Sequence, residues 1–387
     1  MTASRLPLAA LRTPLVAGAA LGLAGLLAAL LADAAAAWAG YLAVLVLCTG
    51  LALAGPLFLS FLFISGARWS RPLERVLCAL GAALPFSAAL ALLLPVGLPA
   101  LYEWSHASAV AGDPVLEAKR AYLSAPFFVL RTAVYFVVWL VGARHVARVA
   151  AETRDGAAGD GARRRRAGAL FLLLFAPTFS LAGIDWTLSL EPHAFSSIHA
   201  VVALGATAVS GLAAAVLLAA WAERRELVRV TEAQWGDAGA LLLAFGLFWG
   251  YVWYSQYLLV WYTDMPEETP WFAARLRGDW GLLTKVSLAA GCALPFAALL
   301  MRSVRRSRSA LVRIACVVLA ARVIDVFVAI GPPLLGASPA RAAWSVLPVV
   351  GAACAFALVT TRALATAAVP HAAASAGPRA PAAHSSG

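Results

Sequence analysis

Long apolar runs, interrupted by short polar stretches, recur along the whole chain. Ten windows stand out, at 15–32, 40–64, 76–101, 126–147, 168–188, 196–221, 238–262, 280–301, 311–335 and 343–367. Each is about long enough for a helix to cross a ~30 Å hydrocarbon layer. Backbone in lipid has to satisfy its own hydrogen bonds, so windows of this length predict helices rather than open strands. The pattern therefore predicts an all-α integral membrane protein of about ten transmembrane helices. Residues 1–369 form one polytopic membrane domain. The tail 370–387 is Pro, Ala, Ser and His with little to bury, and is expected to be disordered. Prolines fall inside several windows (Pro56, Pro85, Pro95, Pro177, Pro295, Pro332, Pro333 and Pro348), each removing a backbone donor and predicting a kink.

Composition agrees. Of 387 residues, 62% are hydrophobic and 13% charged, about half the charge of a soluble domain. A cytosolic enzyme, a disulfide scaffold and a nucleic-acid-binding domain are excluded. The net charge of +11 is explained by where the charges sit. Of the 30 Lys and Arg, 21 fall at the ends and in the even-numbered connections, and five (Lys119, Arg120, Arg275, Arg277, Arg341) fall in the opposite loops. Positive charge collects on the cytoplasmic side, which places both termini there and agrees with an even number of spans. Arg5 and Arg12 before an apolar stretch imitate a secretory signal, but 18 apolar residues exceed a usual signal core, so a retained helix is expected. In the connection from Val149 to Arg166, the run Arg163 to Arg166 reads as a topology anchor beside anionic lipid. The outer connection Tyr102 to Ala125, with Trp104 and Tyr122, reads as interfacial.

Five cysteines (Cys48, Cys78, Cys292, Cys316, Cys354) are isolated within spans, with no C-x-x-C pair and no C-x-x-C-H. They offer no framework for an iron–sulfur cluster or a covalent haem. A b-type haem needs two facing histidines, whereas His145 lies near one face and His193 and His199 near the other. No redox centre bound by this chain alone is expected.

Ionisable residues at membrane depth are expensive and usually functional. Asp325 lies near the middle of the ninth window, with Arg322 three residues earlier on the same helical face. The pair reads either as a structural pin between helices or as a carboxyl that gains and loses a proton beside its guanidinium partner. Lys285 and Arg131 lie a turn or so inside the outer boundary, close enough to snorkel. In the same outer half, however, Asp185, Glu191 and His193 cluster at the end of the fifth window, and Asp264, Glu267 and Glu268 follow the seventh. Such convergence suits a proton exit or a polar docking surface. Arg313, near the cytoplasmic boundary, reads as snorkelling. The seventh window is dense in aromatics from Trp249 to Trp261, with Ser255 and Gln256, and could line a cavity or pack against another subunit. The tetrapeptide Ala-Leu-Pro-Phe at 83–86 and 293–296 falls in oppositely directed spans. An inverted repeat would place it so, but in so Ala- and Leu-rich a chain coincidence is the better reading.

Two segments carry a resemblance. Asp185-Trp186-Thr187-Leu188-Ser189-Leu190-Glu191-Pro192-His193-Ala194-Phe195-Ser196-Ser197 is similar to a D-W-x-x-S-L-E-P-H-W-F-S signature. The stretch 248–272, with Tyr254-Ser255-Gln256-Tyr257, Trp261-Tyr262 and Pro266-Glu267-Glu268-Thr269, looks like the same family's second block. Trp69-Ser70-Arg71-Pro72-Leu73-Glu74, the segment Lys119 to Arg131 and Arg322-Val323-Ile324-Asp325 fit as well. The chain thereby resembles, over about residues 40–335, the second quinone-type membrane subunit of bacterial alternative complex III, a quinol:cytochrome c oxidoreductase related to NrfD-like polysulfide-reductase subunits. Ala194 and Asp264 depart from the pattern, where Trp and Asn are expected, and His199 replaces an aromatic.

The resemblance implies two four-helix bundles, spans 2–5 and 6–9, with spans 1 and 10 outside them. It implies partners: a sister NrfD-like membrane subunit as the better candidate for the quinol site, an iron–sulfur/molybdopterin-like subunit, and c-type cytochrome subunits. Haem c and iron–sulfur clusters would lie in those partners, in a bacterial inner membrane. This chain would provide a proton path, a quinone-side scaffold, or both. Asp185, Glu191, His193, Lys285, Arg322 and Asp325 match the family pattern, with Arg131 beside them. The alternatives are an NrfD-like quinol-binding anchor for another iron–sulfur oxidoreductase and a stand-alone secondary transporter.

Overall fold

The computed structural model describes residues 8–67, 71–153, 159–266 and 268–366; the tail 370–387, Glu267 and the Trp69–Ser70 pair lie outside them. Among the described residues every regular element is helical, and ten helices are long and apolar enough to cross a membrane. They are span 1 (Arg12–Ala32), span 2 (Ala34–Ser65), span 3 (Arg71–Ala91), span 4 (Ala125–Glu152), span 5 (Asp160–Leu190), span 6 (His199–Arg224), span 7 (Glu232–Thr263), span 8 (Gly278–Leu300), span 9 (Arg308–Leu335) and span 10 (Pro339–Thr366). The chain is a multi-pass membrane protein.

Several ends differ from the hydropathy windows for local reasons. Span 7 starts six residues earlier than its window because Thr231 and Gln234 form a capping box, each side chain accepting from the other's backbone N–H. Span 5 starts at Asp160 because the arginine run is itself helical. Span 2 ends at Gly66, whose φ of +67° puts it in the left-handed region that glycine adopts without strain.

Spans 2–5 pack as one four-helix bundle and spans 6–9 as a second, and span 2 joins them by packing on spans 6 and 9. Span 2 is the central post, with 78% of its apolar window buried. Its crossing with span 6 is close: a Cβ on Gly211 would collide with that of Ala54, so only glycine fits. Spans 1 and 10 pair with each other, backbone to backbone where Gly22 meets Gly351, and lie against span 2. Arg341 clamps this pair at one end by donating from Nε and Nη2 to the carboxylate of Asp33, both at 2.7 Å. Asp33 also caps span 2, accepting from Ala36 N at 3.1 Å.

Both copies of Ala-Leu-Pro-Phe fall at helix interruptions. Span 3 breaks after Gly81 and restarts at Leu84, then continues as a further short helix, Leu94–Leu101, with Pro85 and Pro95 opening the new segments. Span 8 passes through a π-turn at Ala289–Ala293 just before Pro295. In each case the proline lacks the donor that a continuous helix needs.

One expectation needs correction. Arg164 is not a lipid-facing anchor: it is buried, donating to both oxygens of Glu74 at 2.8 and 3.0 Å and to Thr153 Oγ1 at 2.6 Å, over the Phe63 ring. Span 5 continues as a helix through the arginine run, and the helical period turns this one arginine inward while Arg163 pairs with Glu152. The connection between spans 3 and 4 folds back on the first bundle. Trp104 is buried there, its ring 5.0 Å from Tyr102 and 5.3 Å from Phe128.

Candidate functional site

Where the two bundles meet, spans 2, 4, 5, 6, 7, 8 and 9 leave a cavity of about 120 Å³. Helices packed only through apolar side chains would leave such a void dry. This one is walled by Arg322, Asp325, His199, Gln256, Arg275 and a ring of hydroxyls, Thr49, Thr187, Thr207, Ser210 and Thr284. Thr187, Ser210 and Thr284 donate to backbone carbonyls, and most of the wall is apolar, so the polar part gathers at Arg322, Asp325, His199 and Gln256, where this volume suits a few water molecules.

Arg322 and Asp325 form an ion pair in the cavity wall, one turn apart on span 9. The helix places them on one face as their spacing predicts. Across from them, His199 is the first residue of span 6, and its Nε2 lies 2.7 Å from Thr187 Oγ1. The Thr187 hydroxyl donates to Gly183 O at 2.6 Å. It therefore accepts from His199, which assigns the ring proton to Nε2. Gln256 Nε2 donates to Ser196 Oγ at 2.8 Å.

The outer end of the cavity is closed by Arg275, on the short helix Thr269–Leu276 that turns back into the molecule. Only 3% exposed, it donates from Nη2 to Glu191 Oε2 at 2.5 Å and to Ala329 O at 2.6 Å, and from Nη1 to Trp271 O at 2.9 Å, with its guanidinium 3.9 Å from the Trp271 ring. Burial pulls the Arg275 pKa down and Glu191 opposes that pull. Glu191 faces two ways, because its other side lines an outer pocket of about 630 Å³ that also holds Glu103, His106 and His193.

The three residues of Glu-Pro-His thus point in three directions. Glu191 turns inward to Arg275. Pro192 O is held by Lys119 Nζ at 2.5 Å, and His193 Nε2 turns outward to Asp113 Oδ2 at 2.5 Å. The Asp113 carboxyl lies below its ordinary value: desolvation raises it, but the amides of Val115 and Leu116 and the His193 ring outweigh that.

The structure brings Arg322, Asp325 and Glu191 to this cavity and its outer closure. It does not bring the other candidates there. Asp185 is fully buried inside the first bundle, bound at both oxygens by Arg131 at 2.8 Å and by Tyr135 at 2.7 Å. Lys285 faces away from the cavity, exposed on the outside of the second bundle, although its neighbour Thr284 lines the wall. His193 lies in the outer pocket. In the aromatic stretch of span 7, Trp253 and Gln256 face the cavity, while Tyr251, Tyr254, Leu258, Trp261 and Tyr262 are exposed on the other side. Arg275 was read as an ordinary loop arginine, and only its position one turn after Trp271 hints at a buried, ring-stacked guanidinium. Among the described residues, no three His, Cys, Asp or Glu side chains converge on a metal position.

No protein-family model matches the chain, and no curated protein matches it in sequence.

Proposed function

We propose that the chain is a redox-inert membrane subunit of a quinol:cytochrome c oxidoreductase of the alternative complex III type, in a bacterial inner membrane, and that it moves protons. Electrons pass through its partners: a sister NrfD-like membrane subunit, an iron–sulfur/molybdopterin-like subunit and c-type cytochrome subunits. The observation that carries this reading is the buried polar cavity, which has an ion pair in its wall and a second ion pair, Arg275–Glu191, between it and an outer pocket.

The chemistry follows from the arrangement. An opposite charge within ~4–6 Å favours the ionised form of a carboxyl. Making and breaking the Arg322–Asp325 pair therefore couples a proton on Asp325 to the position of Arg322. Water at the polar part of the cavity gives that proton a hydrogen-bonded route toward His199 and Gln256. Arg275 blocks a free hydrated channel by its charge, so the proton leaves through Glu191, whose side chain is 26% exposed toward the outer pocket. From there His193, His106 and Glu103 lead to water.

The test is Asp325→Asn, which keeps the shape and the acceptor oxygen but cannot titrate. Loss of a positioned proton-transfer group costs about 10²–10⁴ in rate. Proton movement coupled to quinol oxidation should fall by at least the lower figure, while the complex still assembles. Unchanged quinol oxidation together with unchanged proton movement rules the proposal out.

A second reading, a stand-alone secondary transporter, is favoured by the two interrupted helices at the repeated tetrapeptide. In such transporters the broken segments line the substrate site. Here neither break reaches the cavity, whose only span 8 residue is Thr284. That favours the respiratory reading. A quinol-binding anchor for a different iron–sulfur partner would take up a photoreactive quinone on this chain rather than on a sister subunit.

A further inference from the structure

Arg322 forms part of two walls. Behind it, on the side away from the polar cavity, lies an apolar groove of about 410 Å³, open between the span 1–span 10 pair and spans 2, 6 and 9. Leu47, Leu51, Leu217, Leu319 and Phe356 line it. The two hydroxyls on its wall are turned into their own helix: Thr360 donates to Phe356 O at 3.0 Å and Thr361 to Ala357 O at 2.6 Å. A groove of this composition in a membrane takes up a hydrocarbon chain.

The groove has a polar end, at the arginine-rich face. Leu15 lines it, and Arg12 is one turn before Leu15 on the same face of span 1. Trp221 lines it, and Arg224 is one turn further along the same face of span 6. Arg362, one residue past Thr361, turns to the far side of span 10. Arg12 and Arg224 are exposed, and among the described residues their side chains have no ion-pair or hydrogen-bond partner. Nearby arginines are committed elsewhere, as in Arg308 to Glu223 at 3.2 Å and Arg164 to Glu74.

We propose that this groove binds one anionic phospholipid from the arginine-rich leaflet. An acyl chain lies along spans 2, 6, 9 and 10, and the phosphate sits between Arg12 and Arg224. Two unpaired guanidiniums at one end of an apolar slot call for an anion with a hydrocarbon tail, which an uncharged prenyl quinone does not supply. The inference does not depend on the respiratory reading, since it uses only the groove and its charged end. Its consequence is local: the lipid chain becomes the outer wall behind Arg322, keeping bulk lipid and water from the ion pair on that side.

The test uses the full chain, purified in mild detergent and exchanged with phosphatidylglycerol or phosphatidylcholine, with retained lipid counted by native mass spectrometry. About one phosphatidylglycerol per chain should remain and phosphatidylcholine should wash out. Each arginine near a membrane surface contributes about fivefold in binding of anionic lipid, so Arg12→Gln/Arg224→Gln should weaken retention by roughly 25-fold. Ala353→Trp, which fills the groove, should expel the lipid by a route independent of charge. Equal retention of the two lipids, an unchanged double arginine variant, a bare chain or a prenyl quinone in the lipid's place would each overturn the proposal.

Discussion

Arg131 and Asp185 are 8% and 0% exposed, and each guanidinium nitrogen and both carboxylate oxygens are hydrogen-bonded. Nε and Nη2 bind the two carboxylate oxygens, Nη1 donates to Tyr122 O at 2.9 Å, and the guanidinium lies 3.8 Å from the Tyr122 ring. A charge pair so enclosed gains little net stability over apolar residues of the same shape, but removing one partner strands the other. Arg131→Met should therefore lower stability by about 3–5 kcal/mol, and adding Asp185→Leu to it should restore most of that loss. Thermal unfolding in detergent compares the three proteins. If the double variant also keeps proton movement, the pair is a fastener of the first bundle. A double variant no more stable than Arg131→Met would contradict that account. Glu191 differs because it bridges an internal arginine and an open pocket.

At the scale of helices, the charge that holds the span 1–span 10 pair is titratable. The hydrogen bonds from Arg341, the largest influence, keep the Asp33 carboxyl below its ordinary 3.8. A depressed folded-state value means that the ionised carboxyl stabilises the fold above 3.8, and that this contribution is lost as pH falls through the lower folded value. Arg341 is 41% exposed, so the pair is worth at most about 1 kcal/mol. Unfolding followed from neutral pH down into this acid window should show the wild type losing about that much relative to Asp33→Asn. Parallel curves for the two proteins would contradict the assignment. At this scale most of the architecture was legible in the sequence. Apolar length gave all ten spans, and proline position marked the interruptions in spans 3 and 8. Arg164 was misplaced because hydropathy reads a run of four arginines as uniformly wet. The helical period that turns one of them onto Glu74 is visible only once span 5 is known to extend that far.

For the whole molecule, two four-helix bundles joined through one buried span place a polar cavity at their interface. Charge within an apolar run exposed Arg322 and Asp325 to sequence reading, and the Glu-Pro-His block exposed Glu191. The same logic overvalued Asp185 and Lys285, because depth in the membrane does not say which way a side chain faces. It also missed Arg275, whose surroundings look like an ordinary polar loop until the short helix carrying it folds inward. What the cavity serves depends on what the chain assembles with. The most direct measurement is to tag the full chain in its own membrane, purify it in mild detergent, and record the absorption spectrum and the subunits that accompany it. Reducible c-type haem, with iron–sulfur and second multi-span subunits in constant proportion, is the predicted result. A colourless chain, alone or as a homo-oligomer, would contradict the respiratory account.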